Sequence, residues 1–453
     1  MRVNRSIFRE YDIRGLIDSE LTRDLAYHLG RALGTIMRER QLHTATIGRD
    51  CRPSGAWLSQ CLKNGFLDCG ITVLDIGVVP TPIQYHSIHH FHADGGVQIT
   101  GSHNPPEYNG FKINMGGQTL HGPDIQAIAD LIEKEHYARD EGVWCSVDAV
   151  RPYMLEMLEN LRLDKRKLKV VVDAGNGTAG PFGPELYRAL GCEVIELFCD
   201  MDATFPNHHP DPTQLKNMID LQKAVKQHKA DLGIAFDGDG DRLGVVDELG
   251  EIIWGDKLMI LFSRAVLKDR PGASIVAEVK CSQTLYDDIE AHGGKGHMWK
   301  AGHSLIKAKM RETNAELAGE MSGHIFFKHR FYGFDDALYA GGRLLEILSR
   351  TKAPLSSLLA DVPKTYVTEE LRVDVPDSEK FEVVRRAQAH FAKSHETIAI
   401  DGVRILFDDG WGLIRASNTQ PILVLRFEAK SEQRLGDIRG YVEGELHKLQ
   451  TTR

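Results

Sequence analysis

Three stretches of this chain repeat one pattern: an apolar strand, a polar loop, an amphipathic helix stopped by glycine, and a second strand. The first runs from Ala45-Thr-Ile-Gly-Arg-Asp50 through Trp57–Leu67 and Cys69-Gly70 to Ile71-Thr-Val-Leu74. The second runs from Leu168-Lys-Val-Val-Val-Asp173 through Pro184–Leu190 and Gly191-Cys192 to Glu193-Val-Ile-Glu-Leu197. The third runs from Ala273-Ser-Ile-Val-Ala277 through Thr284–Ala291 and Gly293-Gly294 to His297-Met-Trp299. Each reads as a βαβ unit, and a recurrence of roughly 100 to 125 residues is too long for a solenoid and fits domain duplication. The spacing predicts three tandem α/β domains with mixed sheets between helices. After Asp361-Val-Pro-Lys364 the pattern changes: short strands at Tyr366–Val373, Arg404–Phe407, Gly412–Ala416 and Leu423–Ala429 surround helices at Glu379–Lys393 and Glu432–Leu449. That is a smaller α+β domain with antiparallel strands. The expected limits are 1–148, 149–252, 253–363 and 364–453.

Charge and composition narrow the function classes. The 453 residues carry 55 Lys and Arg against 64 Asp and Glu, a net charge of −9, which sets nucleic acid aside as a partner. An anionic substrate therefore needs a locally basic cleft. No apolar run approaches the roughly 18 residues of a membrane span, and the opening Met1–Asp12 is too charged for a signal peptide, so no membrane association is expected. Seven widely spaced cysteines without a Cys-x-x-Cys pair fit reduced thiols in a cytoplasm.

Five loops offer chemistry. Thr100-Gly-Ser-His-Asn-Pro-Pro106 follows apolar Gly96–Ile99 and precedes Gly110-Phe-Lys112, which puts Ser102 on a stiff loop after a buried strand. An ordinary Ser/Asn turn is the bland alternative; His103 and Lys112 favour a phosphorylated or phosphate-facing serine. In Asp231–Arg242 three carboxylates, Asp237, Asp239 and Asp241, alternate with glycines at the end of an apolar strand. Such crowding is costly unless a cation sits among them, and compact all-oxygen ligation suggests Mg²⁺. An EF-hand is the rival, since Glu248 completes its register, but Arg242 stands where that loop requires Gly and a strand precedes it. Gly175-Asn-Gly-Thr-Ala-Gly180 matches a dinucleotide-binding turn, with Glu193 or Glu196 as the ribose acid; Pro181 and Pro184 crowd its helix start, and a lone match is weak. Gly319-Glu-Met-Ser-Gly-His324 offers a carboxylate, a hydroxyl and an imidazole suited to vicinal sugar hydroxyls, or else a helix-entry turn. Arg415-Ala-Ser-Asn-Thr419, with Arg426 on the next strand, looks like a phosphate cradle, or a polar turn beside a structural arginine. Histidines 86, 89, 90, 92, 208 and 209 read as surface and loop residues.

Together these loops, with Phe8-Arg-Glu-Tyr-Asp-Ile-Arg-Gly15, resemble the α-D-phosphohexomutase family over essentially the whole chain, and most closely its bacterial phosphomannomutase/phosphoglucomutase members. Thr-Gly-Ser-His-Asn-Pro and Gly-Glu-Met-Ser-Gly-His carry the subgroup resemblance; Ala301, where the subgroup has Thr, is a departure that leaves His303 in place. The resemblance implies four domains around a central cleft, with Ser102 the phosphoserine and Asp237, Asp239 and Asp241 holding Mg²⁺ together with an oxygen on Ser102. It puts Arg14, His103, Lys112 and Arg242 around the transferring phosphoryl group. Glu320 and Ser322, assisted by Lys280, His303, His324 and Tyr11, grip the sugar. Arg415, Ser417, Asn418, Thr419 and Arg426 hold the phosphate that is not reacting. Lys112 and His303 both stand as the proton acceptor for the attacking hydroxyl. The implied reaction passes a phosphoryl group between C1 and C6 of mannose and glucose phosphates through a hexose 1,6-bisphosphate, which also activates the enzyme. Phosphoglucosamine mutase and a Mg²⁺-dependent sugar phosphatase are the alternatives. The expected partners are small sugar phosphates, and the expected state is a monomer or weak homo-oligomer in the cytoplasm.

Overall fold

The computed structural model describes residues 1–418 and 420–451. Four sheets follow one another along the chain. The first has seven strands in the order Ile13–Leu16, Tyr108–Met115, Gly95–Ile99, Thr44–Arg49, Thr72–Val78 and Trp144–Ser146, with Gln118–Thr119 beside Tyr108–Met115. Its last four strands in that order run parallel, and Tyr108–Met115 closes against Gly95–Ile99 antiparallel. The second sheet is ordered Ile252–Ile253, Leu243–Asp247, Leu232–Phe236, Lys169–Asp173, Glu193–Leu197; the third Lys295–Trp299, Ser274–Glu278, Leu317–Gly319, Ile325–Phe327. Each is parallel at its centre with antiparallel strands at one side. These are the three mixed α/β sheets the repeat predicts, with crossover helices at Ser54–Leu67, Phe182–Ala189 and Gln283–Ala291.

The fourth sheet is antiparallel throughout: Tyr366–Val367, Ile422–Ala429, Gly410–Ala416, Val403–Phe407 and Thr397–Ile398, with Leu371–Asp374 also on Ile422–Ala429. The expected single strand Tyr366–Val373 is interrupted, and in the gap Glu370 reaches across to Lys280 Nζ at 3.1 Å.

Apolar burial is organised differently from the sheets. The first unit has its own core, from Leu25 and Leu62 to Ile113 and Ile128, and the last has another, built on Phe391, Leu425 and Val442. The second and third units share one continuous core, running from Val170, Ile234 and Val245 through Leu338 and Leu345 to Ile275 and Phe327 and taking in Ile76, Val79 and Ile83 at the edge of the first. Ala337–Ser349 is buried along nearly its whole length within it. The last unit docks by one sheet face. Arg404, fully buried, donates to Val279 O and Cys281 O and stacks on Trp411, whose indole shares Glu428 with Gln283 N.

One expectation is corrected. His86 is fully buried, because its helix, Thr81–His90, is covered by the next unit: its Nε2 lies 2.8 Å from Glu156 and its ring packs on Tyr153. His89, His90 and His92 are exposed, as expected; His208 and His209 lie in a loop but are half-buried, His208 Nε2 being 3.0 Å from Asp173. Among the described residues no helix is long and apolar enough to cross a membrane.

Candidate active site

The predicted loops leave the carboxyl ends of central strands: Ser102 after Gly95–Ile99, Asp237 after Leu232–Phe236, Glu320 after Leu317–Gly319. That is the edge at which open α/β sheets bind ligands. Ser102 is nearly buried and has φ +50°, a left-handed conformation uncommon for a residue with a side chain. It is held there by residues no motif singled out. Asp50, one position past the strand Thr44–Arg49, accepts from Thr100 Oγ1 at 2.8 Å and Gly101 N at 3.0 Å. Arg52 braces the same turn, donating to Ser102 O at 3.0 Å, Asn104 O at 2.6 Å and Pro105 O at 2.7 Å.

The serine and acidic loops meet. Ser102 Oγ donates to Asp237 Oδ2 at 3.0 Å and lies 3.1 Å from His103 Nδ1. Gly238 sits directly against the serine loop: a Cβ there would fall 2.3 Å from Ser102 O. Gly323, at φ +92°, makes the same kind of joint between the Gly319–His324 loop and Leu243, whose carbonyl oxygen would lie 2.4 Å from an added Cβ.

Asp237, Asp239 and Asp241 are fully buried, and one carboxylate oxygen from each lies within 4.8 Å of the others. Asp237 Oδ1 accepts from Gly240 N, Asp241 N and Arg242 N at 3.0–3.1 Å, a nest that orients the loop. Lys112 Nζ bridges Asp239, at 2.6 Å, and Asp241, and Thr81 Oγ1 donates to Asp239. Asp239 Oδ1 and Asp241 Oδ1 nonetheless have no hydrogen-bond partner while buried. Burial and the neighbouring carboxylates push the Asp237 acid well above its ordinary range. Hard oxygen donors left uncompensated at one point fit a divalent cation of the Mg²⁺ type.

Cations converge on the same place. Burial drives His103 well below the ordinary imidazole range, and Arg242, Arg14 and Lys112 add to it. Arg14 is paired with Asp12 on the strand beside that of Lys112. Arg242 Nε donates to His324 Nε2 at 3.0 Å, and the His303 and His324 rings stack with centroids 5.8 Å apart.

The loops Gly319–His324 and Arg415–Asn418 close the other side. Glu320 accepts from Gly302 N just before His303; Ser322 is half-buried on the same turn. Lys280 lies 3.5 Å from Glu278 and 3.1 Å from Glu370. Burial chiefly pushes Glu278 up to about 7, while Lys280 chiefly holds Glu370 down at about 2. Arg415 donates from Nε to Asp401 Oδ2 at 3.0 Å, and Asp401 also accepts from Ala301 N at 3.1 Å. Asn418 donates to Tyr11 OH, which donates to Ala301 O at 2.8 Å. Arg426 Nη2 donates to Asp256 Oδ2 at 3.4 Å. Ser417 accepts from Gln420 N at 3.2 Å, and Thr419 lies outside the described residues. The Gly175–Gly180 turn packs against Cys199 and Gly238 as a structural joint.

Asp50, Arg52, Thr81, Glu278, Asp335 and Asp401 were not found by motif. The one signal for Asp50 and Arg52 was their position, directly after the first repeat's buried strand.

Models of one family match the chain in order. They are the phosphoglucomutase/phosphomannomutase alpha/beta/alpha domain I over residues 5–139, domain II over 151–250, domain III over 254–366 and the C-terminal domain over 370–444. A phosphomannomutase/phosphoglucomutase of Pseudomonas aeruginosa is 47% identical over 443 residues, covering 97% of this chain and 95% of that one. A phosphoglucomutase of Neisseria meningitidis is 48% identical over 435 residues, covering 95% and 94%. A crystal structure of a phosphoglucomutase/phosphomannomutase family protein from Burkholderia thailandensis superposes with a TM-score of 0.94 at 43% identity, over 99% of each chain.

Proposed function

The chain belongs to the phosphoglucomutase/phosphomannomutase family, the α-D-phosphohexomutases, and on that premise we propose that it moves a phosphoryl group between C1 and C6 of mannose and glucose phosphates through phosphorylated Ser102 and a hexose 1,6-bisphosphate. One observation carries the reading: Ser102 Oγ stands 3.0 Å from Asp237 Oδ2 and 3.1 Å from His103 Nδ1, on a loop of left-handed backbone clamped from behind by Asp50 and Arg52.

Phosphoryl transfer asks a protein mainly for positioning and for charge around the equatorial oxygens. Arg14, His103, Lys112 and Arg242 line that position. Asp237, Asp239 and Asp241, with an oxygen on Ser102, would hold Mg²⁺, which supplies further neutralisation of the phosphoryl charge when bound. Lys112 and His303 both stay open as the proton acceptor. Burial alone would lower Lys112, but Asp239 and Asp241 outweigh it and hold its pKa above the ordinary lysine value. Burial, and after it Lys307, holds the His303 imidazole well below its ordinary range. Glu320, Ser322, His324, Lys280 and Tyr11 face the sugar, and Arg415, Ser417, Asn418, Thr419 and Arg426 take the distal phosphate. With this reading go the domain limits 1–148, 149–252, 253–363 and 364–453, of which the first and last fall in gaps between sheets while the second splits the strand Ile252–Ile253 of the second sheet, a cytoplasmic location, and a monomer or weak homo-oligomer.

The test is product analysis with mannose 1-phosphate, glucose 1-phosphate and glucosamine 1-phosphate, with and without added bisphosphate. Mannose and glucose 6-phosphates should form at comparable kcat/KM, chelation should stop turnover and Mg²⁺ should restore it. Ser102→Ala should cost several orders of magnitude. Turnover confined to glucosamine phosphate, or stoichiometric release of inorganic phosphate, would overturn the reading.

A further inference from the structure

A cavity of about 200 Å³ lies between the first and third units, away from the serine loop. The first unit contributes the helix Thr81–His90 and the strands Gly95–Ile99 and Tyr108–Met115; the third contributes the helix His303–Thr313 and the turn 328–334. Gly95 opens the strand whose other end leads to Ser102, so the cavity sits roughly 13 Å along the sheet from that loop.

Its charge is one-sided. The chain carries a net charge of −9, yet Lys307, Arg311 and Lys328 line the cavity and no Asp or Glu does. Lys307 Nζ donates to Asp335 Oδ1 at 3.0 Å and stands 4.4 Å from the centroid of the Tyr85 ring, and Lys328 donates to Asn314. The exposed Arg311 guanidinium has no ion pair among the described residues, and only partial burial acts on its pKa.

Two further groups of the wall are unsatisfied. Tyr85 is 3% exposed, and its hydroxyl is buried without a hydrogen-bond partner. Asn114 Oδ1 accepts from Thr119 Oγ1 at 2.7 Å, while its Nδ2 is buried and has no acceptor. Buried donors normally find a partner, and two of them beside an unpaired guanidinium are groups that the oxygens of an anion would satisfy. The rest of the wall is flat. The Tyr332 and Phe334 rings lie within 6° of parallel with centroids 6.0 Å apart, and His89 stacks on Tyr332 at 4.3 Å. Since a cavity of about 150 Å³ takes a benzene ring, one ring with a small head group fills this one.

We propose that this cavity binds a small aromatic anion, a single ring bearing a carboxylate or a phosphate, and that the ligand ties the first unit to the third. The ring lies on the aromatic wall, and the head group meets Arg311, Lys328 and the amide of Asn114.

The experiment titrates full-length protein with 4-fluorobenzoate, 4-fluorophenyl phosphate and 4-fluorobenzylamine, following ¹⁹F line widths. At least one of the two anions should saturate a single site with a Kd below about 1 mM, the tighter of them naming the head group, and the cationic amine should bind at least about 10-fold more weakly. Arg311→Glu should weaken the anion at least about 10-fold and leave mutase turnover within about twofold of wild type. Tyr332→Ala, which removes a ring that is 42% exposed, should weaken it as well and serves if the first variant does not fold. Arg415→Ala, in the cleft, should leave binding unchanged. Three results overturn the proposal: no saturable binding of either anion up to about 20 mM, equal binding of the amine, or loss of binding in Arg415→Ala but not in Arg311→Glu, which would put the probe in the cleft.

Discussion

Asp336, next to Asp335, caps the helix Ala337–Ser349: it accepts from Tyr339 N at 2.8 Å and from Tyr153 OH at 3.0 Å. Burial raises its pKa from 3.8 to about 7. An acid whose folded pKa is raised contributes fully below its unfolded pKa and loses that contribution as pH climbs through the folded one, so above pH 7 the buried charge costs on the order of 4 kcal/mol. Asp336→Asn keeps the capping oxygen and removes the charge. It should be more stable than wild type in urea melts at pH 8, with the advantage vanishing near pH 4; equal midpoints at pH 8 would show that the carboxylate is stabilised by other means. Residues of this kind explain what was legible beforehand. Ser102, the three aspartates and Glu320 stand in dense motifs whose chemistry is local. Asp335 and Lys307, like Asp50 and Arg52, acquire meaning only through partners that folding brings up from other elements, and single acids and bases of their type occur throughout the chain. His86 was misread for the same reason, its burial coming from another unit.

The elements that carry the site are loops joined back to back at glycines. At Gly238 the acidic loop touches the serine loop backbone to backbone, so an added methyl cannot be relieved by a side-chain rotation. Gly238→Ala should therefore push Ser102 out of line with Asp237 and lower kcat by about 100-fold, the scale expected for a displacement of 1 Å. Steady-state kinetics at saturating Mg²⁺ checks this, and a value within twofold of wild type would mean that the joint yields freely. Helices were readable to within a few residues because amphipathic periodicity and glycine stops are local signals: Trp57–Leu67 is observed as Ser54–Leu67, and Thr284–Ala291 as Gln283–Ala291. Strands of two residues, such as Ile252–Ile253 and Thr397–Ile398, carry no periodicity and exist by virtue of their neighbours.

Across the whole molecule the chain closes on itself, Asn418 of the last unit donating to Tyr11 of the first. On the proposed reaction, a cleft ringed in this way has to accept the bisphosphate in two orientations, which a group that reads phosphate and ignores the sugar allows. Arg415→Ala should remove a charge-assisted contact worth about 1.5–3 kcal/mol, a loss in kcat/KM of roughly 10- to 150-fold, similar for mannose and glucose substrates. A loss confined to one sugar would make Arg415 a structural partner of Asp401 instead. The continuous core beneath the second and third units has a thermodynamic consequence. Cooperativity follows buried apolar contact rather than sheet count, so a calorimetric scan should resolve at most three transitions, one of them carrying the enthalpy of both central units together. By the same token a fragment ending at residue 252 would expose half of that core to water and should not fold alone.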